Sequence, residues 1–214
     1  MKQVLMVGLG RFGRHMGSKL CEEGNEVLAV DCDEARVNDA LNQVTYAQIG
    51  DATNDEFMST LGVRNFDLCV VAIGDDFQSS LEATSLLKEL GAQFVLARAS
   101  RDVHAKFLLR NGADQVVYPE REIGEKLAVK YGCTNIFDYM ELDLEYSIYE
   151  ISTPASWVGK SIAEIQVRNK YQVSVLATKV DGHIQPLTKP EYVFCAQERL
   201  LIMGHNNDVR RLIK

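Results

Sequence analysis

Short apolar runs alternate with helix-spaced stretches through the first two-thirds of the chain. Strands are predicted at residues 3–8, 26–31, 46–49, 67–73, 94–98 and 115–118, each a near-continuous apolar run. Between them apolar side chains recur at helical spacing, as in Phe12, Met16 and Leu20, or Leu81, Leu86, Leu87 and Leu90. Gly24, Gly91 and Gly112 mark helix ends. Apolar strands joined by helices require a parallel sheet covered on both faces, which makes the fold class α/β and doubly wound.

The rhythm changes after Pro119. A helix is predicted at about residues 120–131, and residues 146–151 alternate like a half-exposed strand. A short helix at 161–165, an apolar run at 173–177, an Asp181-Gly182 turn, a strand at 199–203 and a final helix at 207–213 follow. This pattern predicts a small α+β domain. No low-complexity linker separates the two parts, and the boundary falls between Cys133 and Glu145, giving domains 1–135 and 136–214.

Composition narrows the function. With 214 residues, 46% hydrophobic and 25% charged, the chain has room for one medium domain and one small one. A formal net charge of −7 argues against nucleic acid or anionic lipid as a partner. The apolar start, Met1 to Val7, is too short for a signal peptide or a spanning helix, and no later segment is long enough. Direct membrane insertion is therefore not expected, and any membrane role runs through another protein. Five scattered cysteines, odd in number and without a C-x-x-C pair, predict reduced thiols and a cytoplasmic location.

The strongest chemical signal is Gly8-Leu9-Gly10-Arg11-Phe12-Gly13, which closes the first strand and opens the first helix. Such glycines permit a tight turn and let backbone N–H groups approach a pyrophosphate at the positive end of a helix. Asp31 ends the second strand, where a carboxylate accepts hydrogen bonds from a ribose diol and repels a 2′-phosphate. The constellation predicts a Rossmann-like site for NAD or an adenine nucleotide. Gly50-Asp51-Ala52-Thr53 and Ile73-Gly74-Asp75-Asp76 follow the third and fourth strands, at the edge where ligands of such sheets bind. Asp51 equally fits a helix N-cap. Arg98 ends the fifth strand on the same edge, facing the phosphates or the solvent.

These residues resemble the RCK (TrkA-N) domain family, whose members regulate potassium conductance. The resemblance rests on the Gly8–Gly13 loop with Arg11, the strand Val27-Leu28-Ala29-Val30-Asp31, Gly50-Asp51-Ala52-Thr53 and Val71-Ala72-Ile73-Gly74. It continues through Ala113-Asp114-Gln115-Val116-Val117-Tyr118-Pro119-Glu120 into a part similar to the RCK-C (TrkA-C) domain. It implies that Gly8, Gly10 and Gly13 hold the phosphates of ATP, ADP or NAD/NADH, Asp31 the ribose, and Asp51 with Ala52 the adenine side. Phe12, Ile73, Gly74 and Arg98 would complete this cofactor site. Arg11 would reach the terminal phosphate of ATP bound in the neighbouring subunit, a role that suits a guanidinium fork. Glu120 matches a position that binds a divalent or monovalent cation between subunits, and equally fits a dipole-stabilised carboxylate at a helix start.

In the C-terminal part, Ile162, Ala163, Arg168, Ser174, His183 and Pro190 match positions at which similar proteins bind cyclic di-AMP across a dimer interface. Ser174 stands where asparagine is common and Ala163 where a larger aliphatic is common. The resemblance further implies a homo-oligomer of dimers closed into a ring, an octamer. That ring would dock on a membrane potassium-transporting subunit similar to KtrB and gate it from the cytoplasmic side.

The rival reading is an NAD-dependent oxidoreductase, which needs a proton donor or acceptor beside the nicotinamide. No tyrosine is followed by lysine four residues on, and His15, His104, His183 and His205 fit no hydride-transfer constellation. An NAD-sensing repressor would need a basic recognition helix, which the charge and the immediate start of the nucleotide fold oppose. The sequence therefore predicts a binding module and no enzyme.

Overall fold

Strand β1 (Gln3–Val7) is apolar on both sides of its pleat, so neither face can meet water. Val4 and Met6 pack with Leu9, Val27, Ala29 and Val70 in one buried layer. Leu5 and Val7 pack with Val30, Cys69, Val71, Leu87 and Val95 in another. The computed structural model, which describes residues 1–187 and 189–213, satisfies this demand with a sheet clad on both faces. After β1 come α1 (Arg11–Glu22), β2 (Glu26–Asp31), α2 (Glu34–Ala40), β3 (Tyr46–Ile49) and α3 (Asp55–Thr60). Then follow a 3-10 turn, β4 (Leu68–Val71), α4 (Phe77–Glu89), β5 (Val95–Arg98), α5 (Asp102–Arg110), β6 (Gln115–Val117) and α6 (Pro119–Gly132).

The six strands are parallel, in the order β3-β2-β1-β4-β5-β6. The order reverses between β1 and β4, and a crevice opens at such a switch point beyond the carboxyl ends of the strands. The predicted strands are all present, with trimmed ends. β4 begins at Leu68 because Asp67 is occupied: its carboxylate accepts the Gln3 N–H at 2.8 Å while its own N–H donates to the Gln3 carbonyl. Gly24, Gly91 and Gly112 end α1, α4 and α5. Side chains cap the starts of α2 (Asp33), α3 (Asn54) and α4 (Asp76). The N-terminus of α1 carries no side-chain cap.

The second unit holds β7 (Ile136–Glu141), β8 (Tyr146–Ser152), α7 (Ile162–Ile165), α8 (Val167–Tyr171), β9 (Val173–Val180), β10 (His183–Pro186), β11 (Arg199–His205) and α9 (Asn206–Leu212). Its sheet is antiparallel, in the order β10-β9-β11-β8-β7. Trp157 and Phe194 are buried against Ile151, Leu200, Ile202 and Val209. Ser161 starts α7 with a capping box closed by Glu164. Two strands escape the hydrophobic pattern. All four residues of β10 are exposed on a sheet edge, and β7 is half-exposed, so neither shows a clean period of two. Packing divides the chain at Met1–Arg121 and Glu122–Lys214, inside α6. This differs from the 135/136 boundary by the later turns of α6, where Val129 packs on the second core.

Glu150 on β8 is held between Lys179 at 2.8 Å and Arg199 at 2.9 Å, with its side chain only 11% exposed. Burial works to raise its carboxyl, but the two cations outweigh it and hold the group below the usual carboxylate range. A carboxyl depressed on folding stabilises above its unfolded pKa, and that stability fades as pH falls through the folded value. Glu150→Gln is expected to cost about 1–2 kcal/mol at neutral pH, with the difference fading as acidification passes below the ordinary carboxylate range and through the group's lowered folded value. The lone tryptophan, Trp157, reports this unit's urea transition by fluorescence. A penalty independent of pH would contradict the charge account.

Candidate functional site

Two positions of the glycine loop, Gly8 and Gly13, have no room or conformation for a side chain. Gly8 has φ +98° and donates its N–H to the Val30 carbonyl at 2.8 Å. Gly13, in the first turn of α1, lies so near that an added Cβ would sit 2.0 Å from the Gly8 carbonyl oxygen. The helix therefore starts pressed against the end of β1. Gly10 differs from both: its backbone is extended and a Cβ there would meet nothing within 4 Å. No neighbour within the protein requires its bare backbone, which faces an open cleft.

That cleft, about 940 Å³, lies at the switch point and is lined by the ends of the strands. Its volume falls within the range of small-molecule and cofactor sites. The uncapped first turn of α1 points free N–H groups and the positive end of the helix dipole into it. Of the predicted site residues, Gly8, Gly10, Arg11, Phe12, Asp31, Asp51, Ala52, Ile73, Gly74, Arg98 and Glu120 line it. Gly13 does not. It packs beneath Gly8 and sets the approach of the helix.

Asp31 is buried and already engaged. Its Oδ2 accepts the Leu9 N–H at 2.6 Å, its Oδ1 accepts the Asp33 N–H at 2.9 Å, and Arg36 lies 3.6 Å away. The carboxylate thus ties the glycine loop to the end of β2, with lone pairs left over for a ligand hydroxyl. Asp51 accepts both the N–H and the hydroxyl of Thr53 at 2.9 and 2.7 Å. It holds its own turn, and the alternative reading of it as a helix cap fails, since Asn54 caps α3.

Arg98 is not solvent-facing, contrary to one of its two sequence readings. Its side chain is 18% exposed and lies over Gly74, where a Cβ would fall 2.1 Å from Nη1. It pairs with Glu120 and sits 5.9 Å from the centre of the Phe12 ring. Burial works to raise the Glu120 carboxyl, but hydrogen bonds from its own backbone and Arg98, and the charges of Arg98 and Arg11, hold it below its ordinary range. Arg11 itself is exposed at the rim.

Sequence reasoning missed Cys32, Arg36 and Ser79, which also line the cleft. Arg36 was findable, since the first turn of the helix after Asp31 has to face the same crevice. Burial, then the Asp31 charge, push the Cys32 thiol up, away from the thiolate form. None of the four histidines lines the cleft. His104 is buried between Ser80, 2.6 Å from Nε2, and the Ser100 N–H, which donates to Nδ1 at 3.3 Å. Burial, then the charges of Arg101 and Arg98, lower its pKa.

The six C-terminal candidates are not gathered within one chain. The Ala163 N–H donates to the Pro190 carbonyl at 3.0 Å, and Ile162 and Arg168 lie on α7 and α8. His183 pairs with Val180, six residues along β9 from Ser174, which is about 20 Å of extended strand. Among the described residues no three His, Cys, Asp or Glu side chains cluster to hold a metal ion, and no helix is long and apolar enough to cross a membrane.

Comparison with known proteins agrees with this architecture along its length. The TrkA-N domain model matches residues 4–119 and the TrkA-C domain model residues 146–214. Ktr system potassium uptake protein A of Bacillus subtilis is 40% identical over 210 residues, covering 98% of this chain and 95% of that protein. Ktr system potassium uptake protein C of the same organism is 36% identical over 213 residues, covering 100% and 96%. Among solved structures, the GsuK channel bound to NAD superposes with a TM-score of 0.71 at 19% identity, a likeness of fold. The match covers the whole of this chain and 39% of that one. With both domain models matched in order and full-length identity of this degree, the chain belongs to the TrkA-N/TrkA-C family that includes the Ktr potassium uptake proteins.

Proposed function

We propose that this chain is the nucleotide-binding regulatory subunit of a membrane potassium transport system, and that it works by binding and not by catalysis. The observation that carries the reading is the empty space beside Gly10 at the uncapped start of α1, with the Asp31 carboxylate across the cleft. A helix start with free N–H groups takes phosphate, and a carboxylate at the end of β2 takes a ribose. Adenine nucleotides, ATP and ADP first and NAD or NADH second, present both groups. The kinship with potassium uptake proteins, and a structure of the GsuK channel, bound to NAD, that contains the same fold, support the choice.

The finer assignments rest on family resemblance. The subunit would sit at the cytoplasmic face, assembled as dimers in an octameric ring against a potassium-transporting membrane partner. A cation at Glu120 would compete with Arg98 and draw its remaining ligands from another subunit. Cyclic di-AMP would need residues from two chains, because Ser174 and His183 stand far apart in one. A nucleotide shifts such a ring only through unequal affinity for its two geometries. A coupling of about 1–3 kcal/mol per site, repeated around a ring, suffices to move a gate.

Two substitutions test the reading. Gly10→Ala is expected to leave thermal stability almost unchanged, because its backbone is ordinary and its Cβ has room. If phosphate fills that room, the same methyl should weaken ADP and ATP by about 1–3 kcal/mol, roughly five- to a hundredfold, in calorimetry. Unchanged affinity would place the phosphates elsewhere. Arg11→Ala should leave ADP nearly intact while removing the preference for ATP. The glycine loop that takes ADP is untouched, and the γ-phosphate alone needs a neighbour's guanidinium. The loss for ATP is expected to be about ten- to a hundredfold, from a charge-assisted hydrogen bond of about 1.5–3 kcal/mol. Equal weakening of both nucleotides would assign Arg11 to their shared phosphates.

A further inference from the structure

The nucleotide reading sets Arg98 beside the phosphates but gives no account of its pairing with Glu120. The Arg98 guanidinium is confined: Gly74 leaves it room from one side and Phe12 lies on another. Its Nη2 donates to Oε1 of Glu120. Its Nε is buried and has no hydrogen-bond partner among the described residues. An arginine this enclosed, holding a single carboxylate oxygen and leaving a donor unmatched, is under-satisfied. Glu120, by contrast, is 58% exposed and stands in the first turn of α6, where water can solvate it fully once released.

We propose that Glu120 is a built-in stand-in for phosphate, holding Arg98 while the cleft is empty and yielding it to a phosphate of the bound nucleotide. The inference rests on the nucleotide reading and adds a step to it. A guanidinium forks onto phosphate as readily as onto carboxylate, and a phosphate oxygen offers the unmatched Nε a partner. Phosphate replaces the carboxylate on Arg98 and the exposed Glu120 regains water, so the exchange costs little. Its consequence is local and directional. Glu120 loses its anchor, and the first turn of α6, the helix that carries the chain into the second unit, becomes free to take another position. Occupancy of the cleft is thereby written into the start of the connecting helix.

The test is a double-mutant cycle on the full chain, with ADP titrated by calorimetry in buffer containing EDTA. Glu120→Gln keeps the shape and removes the charge, and circular dichroism checks that the fold is retained. It is expected to raise ADP affinity about two- to fivefold, since phosphate then no longer displaces a carboxylate. Arg98→Ala should weaken ADP, and adding Glu120→Gln to it should produce no gain. A Glu120→Gln variant that binds ADP no better than the unmodified chain, or one whose gain persists without Arg98, overturns the exchange. Failure of the unmodified chain to bind ADP overturns the nucleotide reading itself, and the exchange with it.

Discussion

The contact between the first turn of α1 and the carbonyl of Gly8 sets the geometry on which the site depends. Without a Cβ on Gly13 the helix can start directly against the end of β1, and with one it would have to move away. Because it starts there, its free N–H groups face the crevice at the switch point instead of a side-chain cap. The buried Asp31 then fixes the loop from the other side through the Leu9 N–H. One steric condition and one buried carboxylate thus hold a surface of free N–H groups open in a part of the fold that is otherwise tightly packed.

The parallel sheet was readable in the sequence because its central strands are buried on both faces. Val4 to Val7 and Leu68 to Val71 permit no other placement. The second sheet was harder to read. Its edge strand His183–Pro186 is exposed at every residue, and an exposed edge strand has no hydrophobic signature to read. Much of that unit is held by polar contacts of long range, such as Glu150 with Lys179 and Arg199, or the buried Thr153 hydroxyl that donates to the Glu198 carbonyl. Such partners are set by strand register, which no local pattern records.

The candidate site shows the same division. The glycine loop and Asp31 were legible because each answers a local backbone demand. That Gly13 serves packing while Gly10 serves the cleft was not legible, since the two differ only in what lies beside a missing side chain. Nor was the enclosure of Arg98, which depends on Gly74 from the loop after β4 and Glu120 from α6. The contacts that shape these two features tie residues distant in the chain, and no local pattern records them.

Hydrogen-exchange mass spectrometry of the full chain with and without ADP tests the central claim most directly, because it locates the ligand without mutation. The account predicts slowed exchange confined to the cleft backbone, at residues 8–14, 31–36, 50–53 and 72–76. Slowed exchange elsewhere with these segments unchanged, or no change at saturating ADP, would contradict it.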